Sequence, residues 1–141
     1  MLVGAKERIN EVLRFKSNMD SGMFLPLQLA AARALTLGKD WYQQVNSVYR
    51  SRRQKAYDLL DLLGCTYSKE QAGMFLWAKI PGNYDDSYKL SDEVLYNSRV
   101  FITPGGIFGS AGEKYLRVSL CSPAEKFETS IGRIKKNLIE K

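Results

Sequence analysis

Apolar side chains recur at helical spacing through the first part of the chain. Residues 6–18 place Ile9 and Val12 between charged side chains, a pattern that predicts an amphipathic helix. Pro26 suits the first turn of a second helix, and Gly38 is a typical signal for its end.

A long third helix is predicted after Asp40, a suitable N-cap, and Gly64 ends it. Its apolar positions follow steps of three and four. A solvated helix face explains the opposite, charged side better than a nucleic-acid stripe does, because no aromatic side chains alternate with the cations. That charged face carries Arg50, Arg53, Lys55, Asp58 and Asp61.

From residue 65 onward the pattern changes to the alternation typical of strands. A last helix is predicted to run to about residue 139, with Ser122 as its cap, Pro123 as its first residue and Glu125 completing a capping box. Before it, strands are predicted at residues 65–68, 73–80, 100–102 and 115–120, and a helix at residues 88–98.

This order of elements predicts an α/β chain that ends in an α+β-like small domain. Helices would cover one face of a small sheet, and further helices would precede it. We place the boundary at the start of the long helix, between residues 1–40 and 41–141. Residues 1–3 have the apolar character of the end of a strand, so we expect the chain to begin inside a truncated domain.

Composition excludes several kinds of chemistry. The chain has 141 residues, a net charge of +6 and no histidine. The missing histidine excludes serine–histidine and cysteine–histidine nucleophilic sites and histidine-ligated metals. Cys65 and Cys121 are too few for a disulfide framework or a zinc site, so we expect a reduced, cytoplasmic protein without a metal. We expect no membrane partner, because no apolar run is long enough to span a bilayer.

A glycine-rich loop at residues 103–112 separates the last two predicted strands. It matches neither common nucleotide-binding glycine pattern, and it leads to a strand rather than a helix, so nucleotide binding is not indicated. Two explanations stay open: a flexible turn, or a loop whose glycines let the backbone approach a ligand closely.

Arg117 is a candidate binding residue on the last predicted strand. It shares one face with Tyr115 and Ser119, while Leu116 and Val118 point to the other. A guanidinium fixed on a strand after a glycine loop is suited to binding a carboxylate through paired hydrogen bonds. On spacing alone, an arginine on a solvent-facing side is the more common explanation.

A lysine that holds a cofactor through a Schiff base needs a desolvated pocket. Lys79 ends one apolar strand and Lys114 precedes another, and neither has an obvious pocket. We expect both lysines to be structural or solvated.

Three motifs follow one another along the chain: GMFLW at residues 73–77, FITPGGIFG at 101–109 and YLRVS at 115–119. In this order they resemble the C-terminal domain of class I/II aminotransferases, fold-type-I enzymes that depend on pyridoxal phosphate. The segments at residues 1–6 and 21–28 are also similar to that family. The resemblance therefore covers essentially the whole chain.

The resemblance implies roles for individual residues. Arg117 would bind the α-carboxylate of the substrate. Gly105, Gly106 and Phe108 would shape the loop that closes near the substrate. In the homodimers of this family, the segment that contains Ser21 and Gly22 would approach the cofactor of the neighbouring subunit.

The resemblance also implies groups that the chain lacks. The substrates would be an amino acid and a 2-oxo acid, and the cofactor lysine, the acidic partner of the pyridine nitrogen and most of the phosphate cup would belong to an N-terminal large domain. We therefore expect the isolated chain to contain no catalytic residue, to bind no pyridoxal phosphate and to have no transaminase activity.

Two other functions stay open. The charge of +6 fits a stand-alone basic module that binds nucleic acid or another polyanion, and a strong decline of binding with salt would favour it. A homologue used only for protein interaction is the other. We favour the aminotransferase fragment and do not expect nucleic acid to bind.

Overall fold

A computed structural model of the chain describes residues 2–20 and 22–139, the last of these by its backbone alone. The chain forms two compact units, Met1–Tyr42 and Gln43–Lys141. This division lies close to the boundary placed from the sequence. The assignment of the first unit to a larger cofactor-binding domain stays a prediction.

The first unit contains two helices, α1 (Lys6–Met19) and α2 (Leu25–Leu35), as the periodicity predicted. Pro26 lies in the first turn of α2, where its missing N–H costs no hydrogen bond. No side chain of α1 or α2 is buried. Leu2 and Val3 lie outside any strand, so the strand end predicted at residues 1–3 is wrong for them, and Met1 lies outside the described residues.

The longest helix, α3 (Lys39–Leu62), has 24 residues. Asp40 lies within its first turn, where its charge favours the helix dipole, and does not precede the helix as the predicted cap. Gly64, with φ of +68°, follows its end. Within the second unit α3 buries Ala56, Tyr57, Leu59 and Leu60.

The rest of the second unit alternates strands and helices. The elements are β1 (Phe75–Lys79), α4 (Ser87–Ser98), β2 (Thr103–Pro104), β3 (Tyr115–Ser119), α5 (Ala124–Ile134) and a final wider turn of helix at Lys135–Ile139. The strands form one antiparallel sheet in the order β1-β3-β2, in which Arg117 of β3 lies opposite Trp77 of β1 and Thr103 of β2.

One face of this sheet carries the core, because side chains on neighbouring positions of a strand point to opposite faces. Leu76 and Ala78 of β1 and Leu116 and Val118 of β3 are buried, whereas the intervening positions are partly or fully exposed. The helices supply the other half of the core: Leu60 from α3, Leu90 and Val94 from α4, and Phe127 and Ile134 from α5. The prediction of helices on one face of a small sheet is confirmed.

Three predicted elements differ from the structure. The strand at residues 65–68 reduces to a single bridge between Thr66 and Lys79. The strand at 100–102 is unpaired in the sheet, because the carbonyl of Ile102 instead accepts a hydrogen bond of 2.6 Å from Ser91 Oγ. The predicted capping box at the start of α5 does not form, because Pro123 occupies the cap position.

None of the helices in the described part of the chain is long and apolar enough to cross a membrane.

Candidate functional site

Arg117 lies between two aromatic rings on the sheet face opposite the core. Its Cζ is 4.4 Å from the ring centroid of Phe75 and 4.2 Å from that of Phe108. Its Nε is buried and has no hydrogen-bond partner among the described residues. Cation–π packing against two rings leaves the N–H groups at the edge of the guanidinium plane as the direction from which a ligand can bind.

Phe108 is positioned by the glycine-rich loop, which forms two short turns of 3₁₀ helix, Gly105–Phe108 and Ser110–Gly112. The two turns touch through backbone atoms. A Cβ atom at Gly105 would lie 2.4 Å from the carbonyl oxygen of Gly112, and one at Gly112 would lie 2.1 Å from the carbonyl oxygen of Gly105. Only residues without a side chain fit this approach, so the loop is a compact structure rather than a flexible turn.

Hydrogen bonds join the glycine-rich loop to the start of α4. Gly106 N donates a hydrogen bond of 3.3 Å to Ser87 Oγ, and Ser87 N donates one of 2.7 Å to the carbonyl oxygen of Glu113. A Cβ atom at Gly106 would lie 2.5 Å from Cε2 of Tyr88. The first turn of α4 therefore determines where Phe108 lies.

Trp77 connects Phe108 to the sheet. Its ring lies edge to face with Phe108, with centroids 5.5 Å apart, and with Tyr115 at 6.4 Å. Its backbone is held by the amide of Gln71, which accepts from Trp77 N at 2.7 Å and donates to Trp77 O at 2.9 Å. Arg53 of α3 in turn donates to the carbonyl oxygens of Gln71 and Gly73.

The structure brings together four of the predicted site residues: Arg117, Gly105, Gly106 and Phe108. The sequence analysis quoted Phe75 only as part of a motif, although its ring packs on Arg117. No local pattern could have identified it, because its place beside Arg117 depends on the antiparallel register of β1 and β3, in which Phe75 lies opposite Ser119.

The remaining two predicted residues belong to the first unit. Gly22 has φ of +136°, and its N–H donates a hydrogen bond of 3.1 Å to Asp20 Oδ1. This is a local turn, and the described residues give it no ligand-binding group. Ser21 lies outside the described residues.

Lys79 and Lys114 are both exposed, so neither has the desolvated pocket that a Schiff-base lysine requires. Lys114 Nζ donates to the backbone carbonyls of Tyr84, at 3.2 Å, and Asp85, at 2.6 Å. Lys79 is exposed at the end of β1. The site around Arg117 has a cationic group that can bind an anion.

The described residues contain no group of three or more histidine, cysteine, aspartate or glutamate side chains that could hold a metal ion. Burial raises the pKa of the Cys65 thiol to about 11, so this thiol is unreactive at neutral pH. Cys121 is exposed.

The sequence model of the family described as aminotransferase class I and II matches residues 1–134. Two curated relatives are LL-diaminopimelate aminotransferases. That of Natranaerobius thermophilus is 33% identical over 94% of this chain, and one from Dehalococcoides mccartyi is 36% identical over 95%. Both alignments cover 34% of the relative, so this chain spans about a third of the length of these proteins, in their C-terminal part.

Solved structures have the same fold. Apo-BacF from Bacillus subtilis is 33% identical, with a TM-score of 0.82 over 96% of this chain and 35% of its own. An aminotransferase from Staphylococcus aureus is 26% identical, with a TM-score of 0.80 over 95% of this chain and 35% of its own. The chain belongs to the class I and II aminotransferase family, and it corresponds to a C-terminal portion of these enzymes.

Proposed function

We propose that this chain is the substrate-binding, C-terminal part of a pyridoxal-phosphate-dependent aminotransferase, which moves an amino group between an amino acid and a 2-oxo acid. The observation that carries the proposal is Arg117, whose guanidinium packs against two rings and whose buried Nε has no hydrogen-bond partner within the described part of the chain. Membership of the family supports the reaction.

Arg117 binds the α-carboxylate of the substrate through paired hydrogen bonds in this proposal. Carboxylate oxygens complement the planar fork of a guanidinium, and a charge-assisted pair is stronger than a neutral one. Phe75 and Phe108 pack against the guanidinium and so reduce its contact with water, which strengthens its attraction for an anion. The loop with Gly105 and Gly106 holds Phe108 in this place.

The cofactor lies in the part of the enzyme outside this chain. Pyridoxal phosphate withdraws electrons from the bound amino acid and so supplies the reaction chemistry, while protein groups orient the substrate. This chain would position the α-carboxylate and hold a loop over it. The isolated chain would have no transaminase activity, because the cofactor lysine would belong to the N-terminal large domain.

Residues 1–40 would be the end of the large cofactor-binding domain, and residues 41–141 the small domain. Soluble domains rarely expose large contiguous apolar surfaces. The exposed apolar side chains of α1 and α2 therefore favour packing against the rest of that large domain. Its homodimer would bring Ser21 and Gly22 towards the neighbouring cofactor, and the enzyme would be cytoplasmic. The exposed apolar side chains include Val12, Leu13, Phe15, Met23, Phe24, Leu25, Leu27, Leu29 and Leu35.

The basic-module alternative loses support from the second unit. Arg52 donates to the carbonyl oxygens of Leu120, at 3.2 Å, and Cys121, at 3.3 Å. Lys55 pairs with Glu128 at 2.8 Å, and Arg53 binds two backbone carbonyls. Cations of α3 that serve the fold are not free to bind phosphates.

The test is a chimera in which this chain replaces the matching C-terminal part of the Dehalococcoides mccartyi relative. The chimera should transaminate, with LL-diaminopimelate as the first substrate to try. Arg117→Ala should lower kcat/KM by about a hundredfold to a thousandfold, since two charge-assisted hydrogen bonds are lost. The kcat/KM of Arg117→Lys should lie between those of the parent chimera and Arg117→Ala, because lysine keeps the charge but lacks the planar fork of the guanidinium.

Arg50→Ala is the matched control, because it removes the same charge from an exposed position of α3. The chain alone is the second control and should show no turnover. If the folded chimera binds pyridoxal phosphate but its Arg117→Ala and Arg50→Ala variants have equal kcat/KM, the proposed carboxylate-binding role of Arg117 is wrong. Turnover by the chain alone would contradict its predicted inactivity.

A further inference from the structure

A cavity of about 420 Å³ opens beside Arg117, between the segment that precedes β2, the end of β3 and the start of α5. The residues that line it include three with cationic side chains, Arg99, Arg117 and Lys126, and no acidic residue in the described part of the chain lines it. Hydroxyl groups add further hydrogen-bonding capacity. They belong to Thr103, Ser119, Ser122 and Ser130.

The cations of this cavity have no counter-charge. Within the described part of the chain, Arg99 and Lys126 form no ion pair and no side-chain hydrogen bond; the ion pairs there use Arg8, Lys16, Lys55 and Lys89. Like charges around one cavity repel each other, and an oxyanion between them would remove that repulsion.

Arg99 has a backbone conformation that favours glycine or asparagine. It follows the end of α4 with φ of +57° and ψ of +37°, and among the described non-glycine residues it alone has a positive φ. Its exposed side chain gains no ion pair in return. Strained positions of this kind occur preferentially at binding sites, where the side chain serves a ligand.

The N-terminal end of α5 adds an electrostatic field that favours an anion. This helix of 11 residues begins without a side-chain cap, so its first N–H groups lack a side-chain acceptor. Ser122 and Lys126 flank that end and line the cavity. A helix N-terminus favours an anion, in the same direction as the three cations.

We propose that this cavity is a second oxyanion site, in which Arg99 and Lys126 bind a carboxylate or phosphate group next to Arg117. The group has two possible sources. It is either the second carboxylate of a dicarboxylic substrate whose α-carboxylate occupies Arg117, or the phosphate of a separate ligand. The identification of this group as a substrate carboxylate rests on the proposed function, whereas the existence of the oxyanion site does not.

The experiment uses the 141-residue chain, labelled with ¹⁵N, and follows arginine Nε–H and backbone signals by NMR. Inorganic phosphate, glutarate and acetate are titrated separately at constant ionic strength. Phosphate or glutarate should shift the signals of Arg99 and of the start of α5. Arg99→Gly and Lys126→Ala should each weaken that binding about tenfold, the effect of one charge-assisted contact, while Arg50→Ala should not.

Arg99→Gly also controls for folding, because glycine adopts the observed φ without strain and its stability should be equal or higher. Two results would overturn the site: no anion shifts the Arg99 signals, or Arg99→Gly and Lys126→Ala bind as tightly as Arg50→Ala.

Arg117→Ala identifies the source once binding is seen. Glutarate that binds more tightly than acetate and depends on Arg117 indicates a substrate carboxylate. Phosphate that binds independently of Arg117 indicates a separate ligand. The kinetic test of Arg117 in the chimera is independent of Arg99, so failure of the cavity and failure of the proposed function give different results.

Discussion

Polar side chains of the second unit differ in whether their neighbours offer packing or hydrogen-bond partners. The guanidinium of Arg117 packs against two rings, and the hydroxyl of Ser91 donates to a buried carbonyl oxygen at 2.6 Å. Ser98, at the end of the same helix, is 1% exposed, and its Oγ has no partner among the described residues. Burial is therefore favourable at some polar side chains of α4 and costly at another.

Ser98→Ala should stabilise the chain. The substitution removes a buried hydroxyl without a partner, so the free energy of unfolding should rise by about 1 kcal/mol. Urea unfolding followed by circular dichroism measures this change.

Ser91→Ala is the matched control on the same helix, and it should lower the free energy of unfolding by about 1–2 kcal/mol, because the carbonyl of Ile102 loses its donor. Equal effects of the two substitutions would mean that the Ser98 hydroxyl has a partner in solution.

At the level of elements, local patterns predicted most of the fold. Periodicity located α1, α2 and α3, and alternation located β1 and β3, because these segments carry their own signal. Pairing between distant segments is not encoded locally, so the strands predicted at 65–68 and 100–102 were wrong. The same limit applied to the site, since Arg117 was found on its own strand but Phe75 and the cavity were not.

The contact between the two turns of the glycine loop gives a prediction for this element. In Gly112→Ala the new methyl group would lie 2.1 Å from the carbonyl oxygen of Gly105, so the turns must separate. We expect the free energy of unfolding to fall by about 2–4 kcal/mol, in the range of overpacking and backbone strain. Denaturant unfolding and the ring signals of Phe108 report the change.

Gly82→Ala is the control, because a Cβ atom at Gly82 has no described heavy atom within 4 Å. Its stability should stay within about 0.5 kcal/mol of the parent chain. A Gly112→Ala chain as stable as Gly82→Ala would contradict the close approach of the two turns.

The whole molecule divides its buried residues unevenly. The core lies within Gln43–Lys141, and no side chain of α1 or α2 contributes to it. Cooperative unfolding of the chain therefore reports on the second unit.

Three protonated groups of the second unit affect stability at high pH. Burial raises the pKa of Cys65 to about 11, and burial together with the neighbours Asp61 and Glu93 raises the pKa values of Tyr67 and Tyr84 to about 12.

Stability should fall as the pH rises from about 9 to about 12. The folded chain holds these protons more tightly than the unfolded chain, whose thiol and phenol groups have ordinary pKa values of 9.0 and 10.0. The contribution is complete below the unfolded values and is lost as the pH passes through the folded ones. Urea unfolding across this range measures the slope.

The double variant Tyr67→Phe, Tyr84→Phe should lose less stability between those pH values, although it starts lower because the hydrogen bonds to Asp61 and Glu93 are gone. Tyr96→Phe, at an exposed position, is the control and should keep the parent slope. An unchanged slope in the double variant would contradict the assignment to these tyrosines.

The two rings around Arg117 also affect the entropy of ligand binding. An arginine free in solvent gives up as much as about 2 kcal/mol of rotamer freedom when a ligand orders it. Packing between Phe75 and Phe108 restricts that freedom during folding, before any ligand arrives. Affinity for a carboxylate can therefore be adjusted at either ring by changing how mobile the guanidinium is, without altering any atom that touches the ligand.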